Sequence, residues 1–304
     1  QQGNFALQMV PSVTSASSRS GYTNNGEKFR DDITLLAVAQ RWPVAAWTNL
    51  TERAAHQAQK LRDIARVNED SFMLITSQVD LKEFLYRRRS NSKLVGGLIG
   101  TEGSHALEGQ ISNIGYLFDL GFRMMSLHHF FDNQLGSSLH GNSRSGLTFF
   151  GHQALAEMQR LNIIVDVSHS SEEVVRDVLS VSKKPVVLSH TGFYGHCPSP
   201  RNISDQLMQE ITSEGGLIAI GYWEGAICGN TPRKVAEAIL YGIELLGDDA
   251  VSLGSDFDGN IVTTFDASGL VLITQNLLDL GLSENQIEKV MGGNMLQFLL
   301  DQLP

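Results

Sequence analysis

Two β-branched runs that each close on a histidine frame the middle of this chain: IIVDVSH at 163–169 and PVVLSH at 185–190, with the amphipathic segment SSEEVVRDVLSVSKK between them. A strand–helix–strand unit of this kind is parallel and right-handed, so both strand ends emerge on the same side of the sheet. His169 and His190 are therefore expected side by side. A lone buried histidine reads as a satisfied core residue, but two neutral imidazoles at neighbouring strand ends form half of a metal site or of an acid/base pair.

The pattern extends in both directions. Apolar runs at 94–103 (LVGGLIGTEG), 122–129 (FRMMSLHH), 216–223 (GLIAIGYW) and 250–259 (AVSLGSDFDG) alternate with helical patterns, which predicts a strand–helix alternation throughout. Upstream, Asn4 to Thr14 reads as a buried strand, followed by a polar, glycine-containing loop to about Asp31. Asp32 to Val67 reads as helical, and Phe72 to Thr76 as a short extra strand. Capping boxes at Ser170/Glu173 and Ser283/Gln286 mark two helix starts. No repeat, low-complexity tract or linker divides the chain, so residues 1–304 are expected to form one domain, an α/β protein of the (β/α)8 TIM-barrel type.

Charge and length narrow the function classes. A net charge of −10 argues against nucleic acid as a partner, since phosphate binding needs a basic footprint. The one basic run, Arg87–Arg88–Arg89, reads as a solvated helix end. Apolar runs are strand-sized, well short of the roughly 20 residues of a membrane span, and QQGNFALQ has neither the basic head nor the apolar core of a signal peptide. Two cysteines, Cys197 and Cys228, fit either two thiols or one disulfide by count alone.

Glu102, His129, His169, His190 and Asp256 each stand just past the apolar run of a strand. In a parallel barrel those ends open on one face, where such barrels place their active sites. One carboxylate and two histidines suit a divalent transition metal, with zinc the default for that set. Asp256 is placed to accept a proton from metal-activated water, and His129 to stabilise developing negative charge.

Together LIGTEGSHAL, DVSHSS, VVLSHTG, CPSPRNISD and GSDFDG resemble the membrane (renal) dipeptidase family, metallopeptidases of the amidohydrolase superfamily. MSLHHFFDN, GLTFFGHQALAEMQRL and MGGNMLQFL are similar to its bacterial branch, and the resemblance runs from Gly3 to about Leu300. It implies a zinc-dependent dipeptidase that cleaves a dipeptide with metal-activated hydroxide. Glu102 matches the carboxylate bridging two zinc ions, and His169 and His190 match the histidines of the second zinc. His129 matches the histidine that contacts substrate and tetrahedral intermediate, Arg201 the arginine near the substrate's C-terminal carboxylate, and Asp256 the acid/base of the last strand. Asp258 is given a structural role.

One departure stands against these agreements. The family's first strand ends in a His-x-Asp pair that completes the first zinc site, whereas the earliest histidine here is His56, in a helical pattern, and no His-x-Asp occurs anywhere. This reads as an N-terminally truncated chain, or else as a dipeptidase-like protein that has lost one metal site. The barrel is then expected to lack its first strand unless Phe72 to Thr76 replaces it. At most one zinc is expected to bind this chain tightly, against two in a full-length protein, with His128, His105 and Asp258 the next places to look for ligands. By the same resemblance Cys197 and Cys228 match positions joined by a disulfide, which implies a periplasmic or extracellular protein, a cytoplasmic one if the thiols are free. Expected partners are a small dipeptide substrate, no nucleic acid, no membrane span, and compatibility with a homodimer. The competing readings are another amidohydrolase reaction, on a lactam or an N-acyl amino acid, and a non-catalytic binding protein that keeps the barrel.

Overall fold

The computed structural model describes residues 5–17, 20–23, 25 and 31–304. Asn4, read as the start of the first strand, and residues 18, 19, 24 and 26–30 of the polar loop lie outside them. The described residues fall into two compact units, residues 6–183 with 302–304, and residue 5 with 184–301.

The first unit carries β1 (Leu7–Ser12), β2 (Phe72–Leu74), β3 (Val95–Thr101), β4 (Phe122–Ser126) and β5 (Ile164–Asp166). All pair in parallel, in the order β1-β3-β4-β5, with β2 also on β3. Both Leu7 and Met73 pair with Gly96, so β1 and β2 lie on opposite edges of β3. The extra strand therefore extends the edge of β3 that β4 takes further on, from Ile99, and does not precede β1. Gly97 makes room for it, since a Cβ there would meet the Phe72 ring at 2.5 Å. Parallel strands covered on both faces read as continuous apolar runs, and β4 and β5 are buried along their whole length, as is β3 after Val95.

The helix expected over 32–67 is broken in two, Asp32–Ala39 and Leu50–Val67, with a 3-10 turn at Val44–Trp47. Arg41 takes a left-handed φ of 56°, and Pro43 bars its predecessor from the helical region while donating no N–H. Asn49 restarts the helix by accepting the Glu52 N–H at 2.7 Å. The capping box at Ser283/Gln286 forms. At the other site the cap is Ser171, which accepts the Val174 N–H; Ser170 is drawn away by a buried imidazole, its hydroxyl lying 3.0 Å from His128 Nδ1. The three arginines occupy the last turn of helix Gln78–Ser90, where cations favour the carbonyl end.

The second unit carries β6 (Val187–Thr191), β7 (Leu217–Ile220) and β8 (Val251–Leu253), parallel and in that order. Helices Asp205–Ser213 and Pro232–Leu246 each bury one apolar stripe. Cys197 and Cys228 are joined by a disulfide with Cα atoms 5.4 Å apart, closing a separation of 31 residues. Constraining that loop stabilises the fold by about 2–4 kcal/mol. Reduction is therefore expected to lower the urea midpoint in the presence of dithiothreitol, and an unchanged midpoint in fully reduced protein would contradict this. Among the described residues no helix is long and apolar enough to cross a membrane.

Candidate metal centre

Strand ends position the chemistry. Glu102 is the first residue after β3, His129 and His169 are the third residues after β4 and β5, His190 is the fourth residue of β6, and Asp256 is the third after β8.

In the first unit Glu102, His129 and His169 are buried together. Oε1 of Glu102 lies 3.5 Å from His129 Nε2 and 3.3 Å from His169 Nε2. The two imidazoles meet edge to face with centroids 4.9 Å apart. Gly103 makes this approach feasible: its φ is 77°, and a Cβ there would meet the His129 Cβ at 2.9 Å.

His169 itself takes a left-handed φ of 63°, as does Asp256 at 61°. A non-glycine residue there costs on the order of 1 kcal/mol, and such strain collects where side chains must be aimed. For His169 the conformation is held by its carbonyl, which accepts from the Leu139 N–H at 2.7 Å and from the Ser138 hydroxyl at 3.2 Å.

Glu102, His169 and His190, all buried, each offer one ligand atom, and the three atoms lie within 4.8 Å of one another. Among the described residues this is the group able to hold a metal ion. Its donors fit a divalent transition ion: one carboxylate oxygen and two imidazole nitrogens, the usual set for zinc. The outer nitrogen of each imidazole is engaged. Nδ1 of His190 lies 2.9 Å from the Ser189 hydroxyl, and Nδ1 of His169 lies 3.0 Å from His140 Nε2. Hydrogen bonds of this kind orient metal-ligating histidines.

His128 and His105 have a different character. His128 is fully buried, and burial pushes its pKa down to about 3; His105 is lowered to about 4, by burial first and by neighbouring His129 second. Both are neutral in the folded protein, while the unfolded chain takes up their protons below about pH 6.5. The unfolded state then binds more protons, so stability falls as pH drops through 6.5, by up to about 1.4 kcal/mol per unit for each histidine. Urea titrations at pH 7.0 and 5.5, above the carboxylate range, are expected to show this loss. Equal stability at the two values would place these imidazoles in a more solvated setting.

In the second unit Arg201 is 1% exposed. Its Nη2 donates to the His190 carbonyl at 2.8 Å, and its guanidinium stands 5.2 Å from the Trp223 ring centroid. The Trp223 ring in turn lies 6.1 Å from that of His190. Asp256 is half-buried and Asp258 is exposed. His140 and Ser138, which hold His169 by ring and by carbonyl, were not found from the sequence. They lie in SSLHG, between strands, where neither periodicity nor a strand end marks them. The Ser-His pair flanked by glycines was the only signal available.

A family model described as membrane dipeptidase, peptidase family M19, matches residues 15–302. Dipeptidase aclJ of Aspergillus oryzae is 36% identical over 221 residues, 68% of this chain and 51% of that protein. The match therefore spans about half the length of this curated relative. The structure of dipeptidase AC, a metallopeptidase of family M19, superposes with a TM-score of 0.80 at 20% identity, covering 99% of this chain and 87% of that one. A metallopeptidase from Rhodobacter sphaeroides, liganded with a phosphinate mimic of L-Ala-D-Ala, gives 0.77 at 21% identity, covering 100% and 88%. Those likenesses show the fold, an α/β TIM-type barrel. By the model match over nearly its whole length, the chain belongs to the membrane dipeptidase family, peptidase family M19.

Proposed function

We infer that this chain is a zinc-dependent dipeptidase acting as one hydrolase domain. The observation that carries the reading is the buried Glu102–His169–His190 group in a member of a dipeptidase family. When bound there, a divalent ion supplies Lewis-acid polarisation of the scissile carbonyl and of the attacking water. The carboxylate of Asp256 takes the proton from that water and delivers it to the leaving amine nitrogen, so one carboxyl group serves both halves of the hydrolysis. His129, with Nε2 3.5 Å from Glu102, donates to the oxygen that gains negative charge. Arg201 receives the substrate's C-terminal carboxylate, since its planar fork matches that group and contact with the His190 carbonyl fixes its orientation.

At most one zinc per chain is expected to bind tightly, because a single Glu/His/His group occurs among the described residues and the sequence holds no His-x-Asp pair. The Cys197–Cys228 disulfide supports a periplasmic or extracellular setting. The oligomer proposed is a homodimer, to be read by light scattering. The deciding test is to load the protein with zinc, measure metal per chain, and assay LL and LD dipeptides beside N-acyl amino acids and a lactam. Dipeptide turnover that a chelator removes and zinc restores supports the reading. Turnover of only the other substrates would move the protein to another amidohydrolase reaction, and zinc binding with no turnover would make it a binding protein.

A further inference from the structure

We propose that His140 is a positioning residue that fixes the tautomer of His169, through a chain of hydrogen bonds anchored on the Tyr22 carbonyl. Nδ1 of His140 lies 3.1 Å from that carbonyl oxygen, which can only accept, so Nδ1 carries the proton. A neutral imidazole protonated on Nδ1 presents a lone pair at Nε2, and His140 Nε2 lies 3.0 Å from His169 Nδ1. His169 must then donate from Nδ1, which leaves its own Nε2 as a lone pair. That is the atom 3.3 Å from Glu102 Oε1. The direction of every bond is thus set by a backbone carbonyl at the far end. At His190 the neighbour of Nδ1 is the Ser189 hydroxyl, which can donate or accept.

The surroundings hold His140 to this task. It is fully buried. Its ring packs at 34° to Phe130 with centroids 5.2 Å apart, against Tyr22 at 5.8 Å, and edge-on to His169 at 5.0 Å. Its loop is shaped by Asp132, whose carboxylate accepts the N–H groups of Ser138, Asn142 and Ser143 at 2.8, 3.1 and 2.8 Å. The same loop supplies the Ser138 and Leu139 groups that hold the His169 carbonyl. One segment therefore fixes both the backbone and the ring of His169.

The inference rests on the reading of His169 as a metal ligand, and its test separates the two. Long-range nitrogen–proton correlation spectra of the unmodified protein at neutral pH, with and without zinc, are expected to show His140 as the Nδ1–H tautomer. An Nε2–H tautomer or an imidazolium at His140 would overturn the inference. His140→Leu is then expected to weaken zinc binding, measured against a competing chromophoric chelator, by about 10- to 100-fold. His140→Gln, whose amide oxygen can accept from His169 Nδ1, is expected to recover most of that loss. Wild-type affinity in a folded His140→Leu protein, or equal losses in both variants, would also overturn it. Absence of zinc binding by the unmodified protein would instead remove the dipeptidase reading, and the tautomer spectra would still decide the role of His140.

Discussion

Replacing Glu102 with glutamine is expected to abolish tight zinc binding and to lower dipeptide hydrolysis by about 10²- to 10³-fold, the scale set by loss of one charge-stabilising group at a reacting centre. The substitution keeps the volume of a buried side chain and changes only its charge. Glu102 is 7% exposed, and its Oε1 faces two imidazole nitrogens, at 3.3 and 3.5 Å. The other two members of the candidate metal group, His169 and His190, are imidazoles, so the carboxylate is the one anionic ligand that the group offers a divalent ion. A carboxamide oxygen carries no net charge and is a much weaker ligand for a divalent ion. Stability should move the other way. A buried carboxylate without its ion costs free energy, so the metal-free variant is expected to melt no lower than metal-free wild type. Zinc content by elemental analysis, turnover and thermal midpoint together decide the matter. A variant that keeps both zinc and rate would remove Glu102 from the centre, while a lower midpoint in the metal-free state would make it a structural residue.

The strands were legible because β3 to β8, buried on both faces or nearly so, leave short runs rich in apolar residues, with the polar residues gathered mostly toward their ends. Strand ends then nominated Glu102, His169 and His190, and the three ligand atoms do converge. What the sequence hid depends on contacts far apart in the chain. The break at Arg41–Pro43 carried a local signal, the proline, that the helical periodicity on both sides outweighed. Ser170 resembles a helix cap in sequence, but the imidazole that diverts it, His128, lies 42 residues away. His140 lies in a loop and reaches its partner across 29 residues. Tertiary hydrogen bonds of that kind leave no period and no local composition, which is why the strand-end residues could be nominated from the sequence while the side chains behind them could not.

Arg53→Met is expected to destabilise the fold by about 3 kcal/mol or more, because each buried acceptor left without its donor costs about 1–3 kcal/mol. Arg53 sits in helix Leu50–Val67 and is 1% exposed. Its Nε donates to the Ala46 carbonyl at 2.8 Å, Nη1 to the Thr14 carbonyl at 2.8 Å and to Asp31, and Nη2 to the Thr34 hydroxyl at 2.6 Å and to the Trp47 carbonyl. One guanidinium thus ties the segment after β1, the start of helix Asp32–Ala39 and the 3-10 turn at Val44–Trp47 to a single helix. Methionine supplies similar apolar volume but no donor, which leaves three backbone carbonyls and a carboxylate to find other partners. The carboxylate is the lesser part of that loss. The Asp31 side chain is 26% exposed and can rehydrate, and it also accepts the Ile33 N–H at 3.1 Å as a helix cap. Asp31→Asn keeps the cap and a hydrogen-bonding oxygen, so its expected cost is roughly 1 kcal/mol. Urea unfolding of the two variants gives the comparison. A loss below about 1 kcal/mol for Arg53→Met would show that water replaces the guanidinium at little cost. Equal losses for the two would show that the charge pair, rather than the carbonyl contacts, holds these segments to the helix.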